Sequence, residues 1–339
     1  MRVRGILLGW IMVFGLEAQT VLVVQEGRGK VIVLSAAKPA DRAEIAVGDK
    51  PHEIELAPDG SVAYVSNFGL LEANYKVGKP GSTISVLDVA KRQEKLRFRL
   101  PEGFTAPHGL KLRPPQFREL FTNAEVGQAG MLVFDSRSGT VLRTYALPEG
   151  VHNFVFDAAG AALFAFTMKG EICRIDPEDG KVLARANTGS PRGLAWTASN
   201  PRRLLVSGKG EVLVLDPATL AIERRIANLG VGQIFYPAAT PDGRWILAPA
   251  VVDGVILVID AVSGAVIRRI STGSPLLSAI SPDSKQAWIS NVLVPAGMFG
   301  DSTAQRDGGI DLLDLTTFQV NRIPDVPDAN GLAVVWADR

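Results

Sequence analysis

The turn motifs Ala57-Pro58-Asp59-Gly60, Thr240-Pro241-Asp242-Gly243 and Ser281-Pro282-Asp283-Ser284 each separate two apolar stretches, and aligning the chain on them exposes an internal repeat. Seven positions share one phase of that repeat: His52, His108, His152, Arg192, Phe235, Leu276 and Asn330, spaced by 56, 44, 40, 43, 41 and 54 residues. A period of about 40–45 residues holding four short strands is that of a propeller blade. No other property of the chain restricts its fold as tightly.

Each unit repeats one physical logic. An apolar strand follows the shared position, and the Pro-Asp-Gly turn supplies the fixed and positive φ values of a tight hairpin. A second strand ends in Tyr64-Val65-Ser66-Asn67, Leu120-Phe121-Thr122-Asn123 or Trp288-Ile289-Ser290-Asn291. A third strand ends in Asp88, Asp135, Asp176, Asp216, Asp260 or Asp314. These six aspartates are expected to bond their own backbone in the following turn, as scaffold and not as catalysts. Runs such as Val255-Ile256-Leu257-Val258-Ile259 lack polar alternation, which suits a strand covered on both faces.

The two ends of the chain complete each other. Residues from about Thr20 to Gly48 supply three strands without a leading one, and Asn330-Gly331-Leu332-Ala333-Val334-Val335 supplies a leading strand alone. The expected architecture is therefore all-β: a seven-bladed propeller of four-stranded antiparallel blades, closed by a composite N-/C-terminal blade. Closure of this kind removes exposed sheet edges.

The units resemble the YVTN-type propeller repeat, through Val47-Gly48-Asp49-Lys50-Pro51, Ala57-Pro58-Asp59-Gly60, Tyr64-Val65-Ser66-Asn67 and Ser85-Val86-Leu87-Asp88, and again through Thr272 to Asp283 and Ile289-Ser290-Asn291. The resemblance spans residues 19–339 and implies the same fold. It leaves function open, since such propellers include surface-layer-like proteins, binding proteins, lactonase-like enzymes and haem-binding relatives. Blades 3 and 4 depart from it, with Asp157-Ala158-Ala159-Gly160 and Ser199-Asn200-Pro201 where Pro-Asp-Gly is expected.

Residues 1–18 have the layout of a secretory signal peptide: a basic start at Arg2 and Arg4, an apolar stretch from Gly5 to Leu16, and small Ala18 before a cleavage point. The reading is a periplasmic or secreted protein whose residues 19–339 form one propeller domain, with no transmembrane span after cleavage. Cys173 is the one cysteine, so no internal disulfide supports the fold, and its apolar neighbours make it a core residue. The net charge is +1 and charged residues form no runs, so the sequence carries no nucleic-acid signature.

All three histidines of the chain fall at the shared phase, which places them at one height around the ring axis. Around that ring the order His52, His108, His152, Arg192, Phe235, Leu276, Asn330 makes a polar wall and an apolar wall, the make-up of a small-molecule site. Asn67, Asn123 and Asn291 end second strands nearby and are expected to form an outer polar shell. The ligand-binding set is thus His52, His108, His152, Arg192, Asn330, Asn67, Asn123 and Asn291. Three convergent imidazoles could hold a divalent transition metal such as Zn, Cu or Fe, with Glu26, Glu53 and Glu125 able to approach. With Arg192 as a fork of donors, the same face suits a small anionic molecule or a protein partner.

Two loops between second and third strands are long, 21 residues from Asn67 to Asp88 and 23 from Asn291 to Asp314, against 9–12 in four other blades. Both are placed on the histidine face, where loops on a rigid scaffold usually carry function. The side chains Glu72, Tyr75, Lys76 and Lys79, and Met298, Phe299, Asp301, Gln305 and Arg306, suit a lid or partner contact. The expected function is that of an exported binding or scaffold protein with its ligand at the channel mouth. The alternative is a lactonase-like or metal-dependent hydrolase on the same ring. No nucleophile elbow, zincin helix, Walker loop or dinucleotide fingerprint supports a catalytic assignment.

Overall fold

Seven four-stranded antiparallel sheets form a propeller in this computed structural model, which describes residues 19–71, 74–296 and 305–336. The strands of blades 1–6 follow one another in chain order, beginning with Pro51–Leu56, Phe104–Leu112, Val151–Phe156, Gly193–Trp196, Ala238–Ala239 and Pro275–Ile280. Apart from a 3-10 turn at Glu26–Arg28, no helix occurs among the described residues. None is therefore long and apolar enough to cross a membrane. The expected export segment, residues 1–18, lies outside the described residues, as do Glu72, Met298, Phe299 and Asp301.

The composite blade forms as the sequence predicts. Thr20–Gln25, Lys30–Ser35 and Arg42–Ala46 are joined by Leu332–Val335, whose residues pair antiparallel from Thr20↔Val335 to Val23↔Leu332. Trp288 of blade 6 is fully buried against this seam, and its indole N–H donates to Gln19 Oε1 at 3.1 Å.

The core consists of layers between blades instead of one central mass. In blade 5, Ile256 and Val258 pack towards blade 6, whereas Leu257 and Ile259 pack towards blade 4. Successive strand residues face opposite sides, so an unbroken apolar run serves two layers at once. That is the physical reason for the missing polar alternation.

The turns follow the same economy. Gly60 and Gly243 both adopt φ of 73°, as the tight hairpins require, and their amides bond Ala57 O at 2.8 Å and Thr240 O at 2.9 Å. Blade 3 makes the equivalent turn without proline, since Gly160 has φ of 65° and bonds Asp157 O at 3.0 Å. All six strand-ending aspartates accept amides of the next turn, as in Asp135 with Ser138 N at 2.8 Å and Asp314 with Thr316 N at 2.7 Å. Those bonds hold the carboxyls of Asp88, Asp135, Asp216 and Asp260 below the usual carboxylate range.

One carboxyl at the seam behaves in the opposite way. Asp328, in the loop before the closing strand, is buried and accepts Gly27 N at 2.7 Å. Burial raises its pKa to about 6, against the smaller opposing effects of the Gly27 amide and Arg28. Because the folded value exceeds the ordinary 3.8, the associated stability is complete below pH 3.8 and is lost as pH rises through about 6. Asp328→Asn keeps an oxygen for Gly27 and tolerates the left-handed φ of 56°. The variant is expected to match the parent near pH 4 and to exceed its stability by roughly 2–3 kcal/mol at pH 8. Urea melts at the two pH values measure this; equal differences at both would refute it.

Candidate functional site

The structure brings the three histidines into one buried row. Ring centroids lie 4.2 Å apart for His52 and His108 and 4.0 Å for His108 and His152, and the three residues are only 3%, 0% and 5% exposed. Phe68, just past the second strand of blade 1, sets its ring edge-on to His52 and His108, at 5.7 Å and 5.1 Å. Phe166 closes the other end at 5.5 Å from His152.

A backbone irregularity, which the repeat pattern does not disclose, aims these rings. The register of the first strand slips between Pro51 and Ile54, between Pro107 and Leu110, and between Val151 and Asn153. A bulge leaves residues outside the ladder and redirects their side chains. Each histidine sits in such a slip, and so does Leu276 in blade 6. Second-strand side chains satisfy the displaced amides. Ser66 Oγ accepts Glu53 N at 3.0 Å and donates to His108 O at 2.9 Å, and Ser290 Oγ accepts Leu277 N at 3.2 Å.

Two carboxylates join the row. Glu125 Oε1 lies 3.0 Å from His152 Nδ1 and 3.9 Å from His108 Nδ1. It reaches the site because the second strand of blade 2 runs on to Gly127, four residues past Asn123, whereas its counterpart in blade 1 stops at Asn67. On the other side Glu53 groups with His52 and His108, and in each trio all donor atoms lie within 4.8 Å of one another. Tyr75 extends from the hairpin of Leu70–Leu71 and Asn74–Gly78, part of the first long loop, and donates its hydroxyl to Glu125 Oε2 at 2.8 Å. Glycines form the neck of this hairpin: a Cβ on Gly69, at φ of 81°, would stand 2.1 Å from Lys79 O.

The remaining predicted site residues take other positions. Asn67 accepts Gly48 N at 2.9 Å and donates to Thr83 and Ser85. Asn291 accepts Ser274 N at 3.1 Å and donates to Asp311 at 2.9 Å. Asn123 accepts Gly109 N at 2.9 Å and donates to the carbonyls of Val151 and His152. Their amides thus tie strands and loops together. Asn330 donates to Glu26 Oε2 at 3.3 Å on the composite blade. Arg192 is half-buried and donates to the carbonyl of Pro191 at 3.0 Å, and among the described residues no hydrogen bond or ion pair joins it to an imidazole. Leu276 and Phe235, the expected apolar members of the ring, pack together with Val251 and Val294. Arg306 of the second long loop locks that side, donating to the carbonyls of Val251 at 2.9 Å and Gly273 at 2.6 Å.

Below the histidines, first-strand residues of blades 1 and 2 form a charged cluster. Lys111 Nζ donates to Leu110 O at 2.9 Å and lies 3.5 Å from Glu55 and 3.8 Å from Glu53. Burial raises the Glu55 carboxyl above its ordinary range despite Lys111. Burial also pulls on Lys111, but the two glutamates outweigh it and raise its ammonium pKa.

No family model matches the sequence, and no curated protein matches it. Solved structures do match it in shape. A functionally unknown protein from Desulfotomaculum acetoxidans DSM 771 superposes with a TM-score of 0.71 at 12% identity, covering 95% of this chain and 100% of that one. The dihydro-heme d1 dehydrogenase NirN, in complex with DHE, superposes with a TM-score of 0.67 at 13% identity, covering 94% of this chain and 75% of that one. At such identities the likeness is one of fold, and the fold is the seven-bladed β-propeller.

Proposed function

We propose that this propeller is a metal-dependent binding protein, holding a divalent transition metal between His108, Glu125 and His152 and presenting it to a ligand at the channel mouth. The observation that carries the reading is the convergence of two imidazoles and one carboxylate from blades 2 and 3. Atoms that ligate one ion at 2.0–2.2 Å lie no more than about 4.4 Å apart. The separations of 3.0 Å and 3.9 Å from Glu125 Oε1 already meet that limit. His52 and Glu53 extend the donor set on the other side of His108. Two histidines and one carboxylate suit Zn or Fe and leave coordination positions for another molecule.

A groove of about 240 Å³ runs beside Glu125, between Tyr75, Leu147, Val151 and Met168. It gives a small anionic group, or an acidic side chain of a partner protein, a route to the ion. The same groove favours the second reading, a metal-dependent lactone or ester hydrolase, because a substrate carbonyl could reach an open metal position there. We further propose that the chain is a YVTN-type propeller exported on residues 1–18; the repeat motifs support the first point and the basic-then-apolar start supports the second.

Zinc titrated calorimetrically into EDTA-dialysed protein is expected to bind near stoichiometrically. His108→Gln and His152→Ala should each weaken that binding by at least about 100-fold, the upper range seen for merely supporting residues. Absence of saturable binding by Zn, Co and Cu ions, or affinity unchanged in both variants, would overturn the proposal. The zinc-loaded protein offered a panel of lactones and esters decides between the readings, since turnover that His152→Ala abolishes belongs to the hydrolase alone.

A further inference from the structure

The central channel holds a cavity of about 170 Å³ whose lining shares Glu53 with the wider donor set of the metal reading but none of its three primary ligands. Its polar wall comprises Glu53, Lys111, Asn153, Tyr236 and Ser278, and Phe154, Phe166 and Leu277 lie in its apolar wall. An apolar cavity of about 150 Å³ in another protein accepts benzene, so this space suits one ring with a short substituent.

Charge decides what kind of substituent. One carboxylate, Glu53, and one ammonium, Lys111, line the cavity, and Glu55 lies outside the lining as the second acidic neighbour of Lys111. That ammonium is already engaged by Leu110 O at 2.9 Å and by Glu55, which also accepts Leu112 N at 3.0 Å. Glu53 is 7% exposed, and the hydrogen bond it accepts comes from Asn153 Nδ2 to Oε1 at 2.9 Å. Its Oε2 lies 3.8 Å from Lys111, beyond hydrogen-bond range, and so keeps acceptor capacity in a side chain that lines the cavity. Also in the lining, the buried Ser278 Oγ has no hydrogen-bond partner among the described residues. Buried polar groups are normally satisfied, so the cavity offers two polar contacts, at Glu53 and at Ser278, among apolar residues.

We propose that the channel binds a small organic cation, a protonated primary amine on a single aromatic or branched aliphatic body. The ammonium donates to Glu53 Oε2, the body lies along Phe154, Phe166 and Leu277, and a polar substituent reaches Ser278. Anions of the same shape meet the Glu53 carboxylate, while the ammonium of Lys111 is already engaged. The site shares Glu53 with the outer part of the metal donor set, beside His52 and His108, and the test is therefore run on metal-stripped protein.

Benzylammonium, benzoate and benzyl alcohol have nearly one shape and three charges. Titrated into EDTA-dialysed protein and followed by ligand-observed NMR and calorimetry, benzylammonium is expected to bind at least tenfold more tightly than benzyl alcohol, and benzoate not at all. Glu53→Gln keeps an oxygen for Asn153 and is expected to remove the tenfold preference; Ser278→Leu, which fills the cavity without touching Glu53, is expected to abolish binding. No binding of benzylammonium, equal binding of benzoate, or an unchanged preference in Glu53→Gln would overturn the proposal. Zinc binding is scored on the same samples: amine binding without zinc binding refutes the metal reading alone, and zinc binding without amine binding refutes this one alone.

Discussion

A chain ending at Asn330 is expected to lose its cooperative melt and to aggregate. The deletion removes Leu332–Val335, the strand that pairs with Thr20–Val23 and completes the composite blade. It also strips two core layers at once. Val334 packs with Val21, Val23 and Trp288, whereas Ala333 and Val335 face the layer shared with blade 1. The edge left behind is apolar and has unpaired backbone groups, which is the arrangement that recruits other strands. Size-exclusion chromatography and differential scanning calorimetry check the outcome. A peptide of residues 329–336 supplied in trans should restore part of the transition. A truncated monomer melting like the parent would show that the ring does not depend on closure.

Arg322→Met is expected to cost about 3–5 kcal/mol, because it leaves a buried carboxylate without its counter-ion. Asp311 is 1% exposed, and Arg322 grips both of its oxygens while also donating to the carbonyls of Gly308 and Thr272. In the variant the carboxylate keeps Asn291 Nδ2 at 2.9 Å. The loss corresponds to a fall in melting temperature of roughly 5–10 °C for a chain of this size. Burial already raises the Asp311 pKa against the pull of Arg322, and removing the cation raises it further. A carboxyl with a raised folded pKa contributes stability below its ordinary pKa and loses it as pH rises through the folded value. The variant's deficit should therefore be smaller at pH 4.5 than at pH 8. Asp311→Asn combined with Arg322→Met should recover much of the loss; a double variant as unstable as the single one would contradict this account.

The sequence makes the scaffold legible because each blade repeats a local code. Pro-Asp-Gly turns, strand-ending aspartates and the complementary termini are all statements about neighbours in the chain, and each has its counterpart in the structure. The histidines are legible for a related reason: equal phase in a closed ring means equal height. What surrounds them depends on geometry that phase does not encode. Glu125 approaches His152 because one strand overruns its counterparts, and the bulges that turn the histidines aside leave no fixed residue signature, with Glu53, Gly109 and Asn153 following the three histidines. Lys111, Asn153, Tyr236 and Ser278 meet across four blades, a convergence that no spacing reveals. Arg192 shares the histidine phase, yet its guanidinium turns back to Pro191 O. The asparagines at the second-strand ends look polar and available in sequence, but hold bulges and loops in place.

The composite blade also sets a clock. Thr20 and Val335 are partners 315 residues apart, so during synthesis the first strand waits for the last one described. At about 5–20 residues per second the delay is roughly 15–60 s. Throughout that interval Val21, Leu22, Val23 and Val24 lack the neighbour that later covers them. The finished ring covers this apolar strand, and the nascent chain must carry it bare, which makes the time before closure a period in which this protein needs a chaperone.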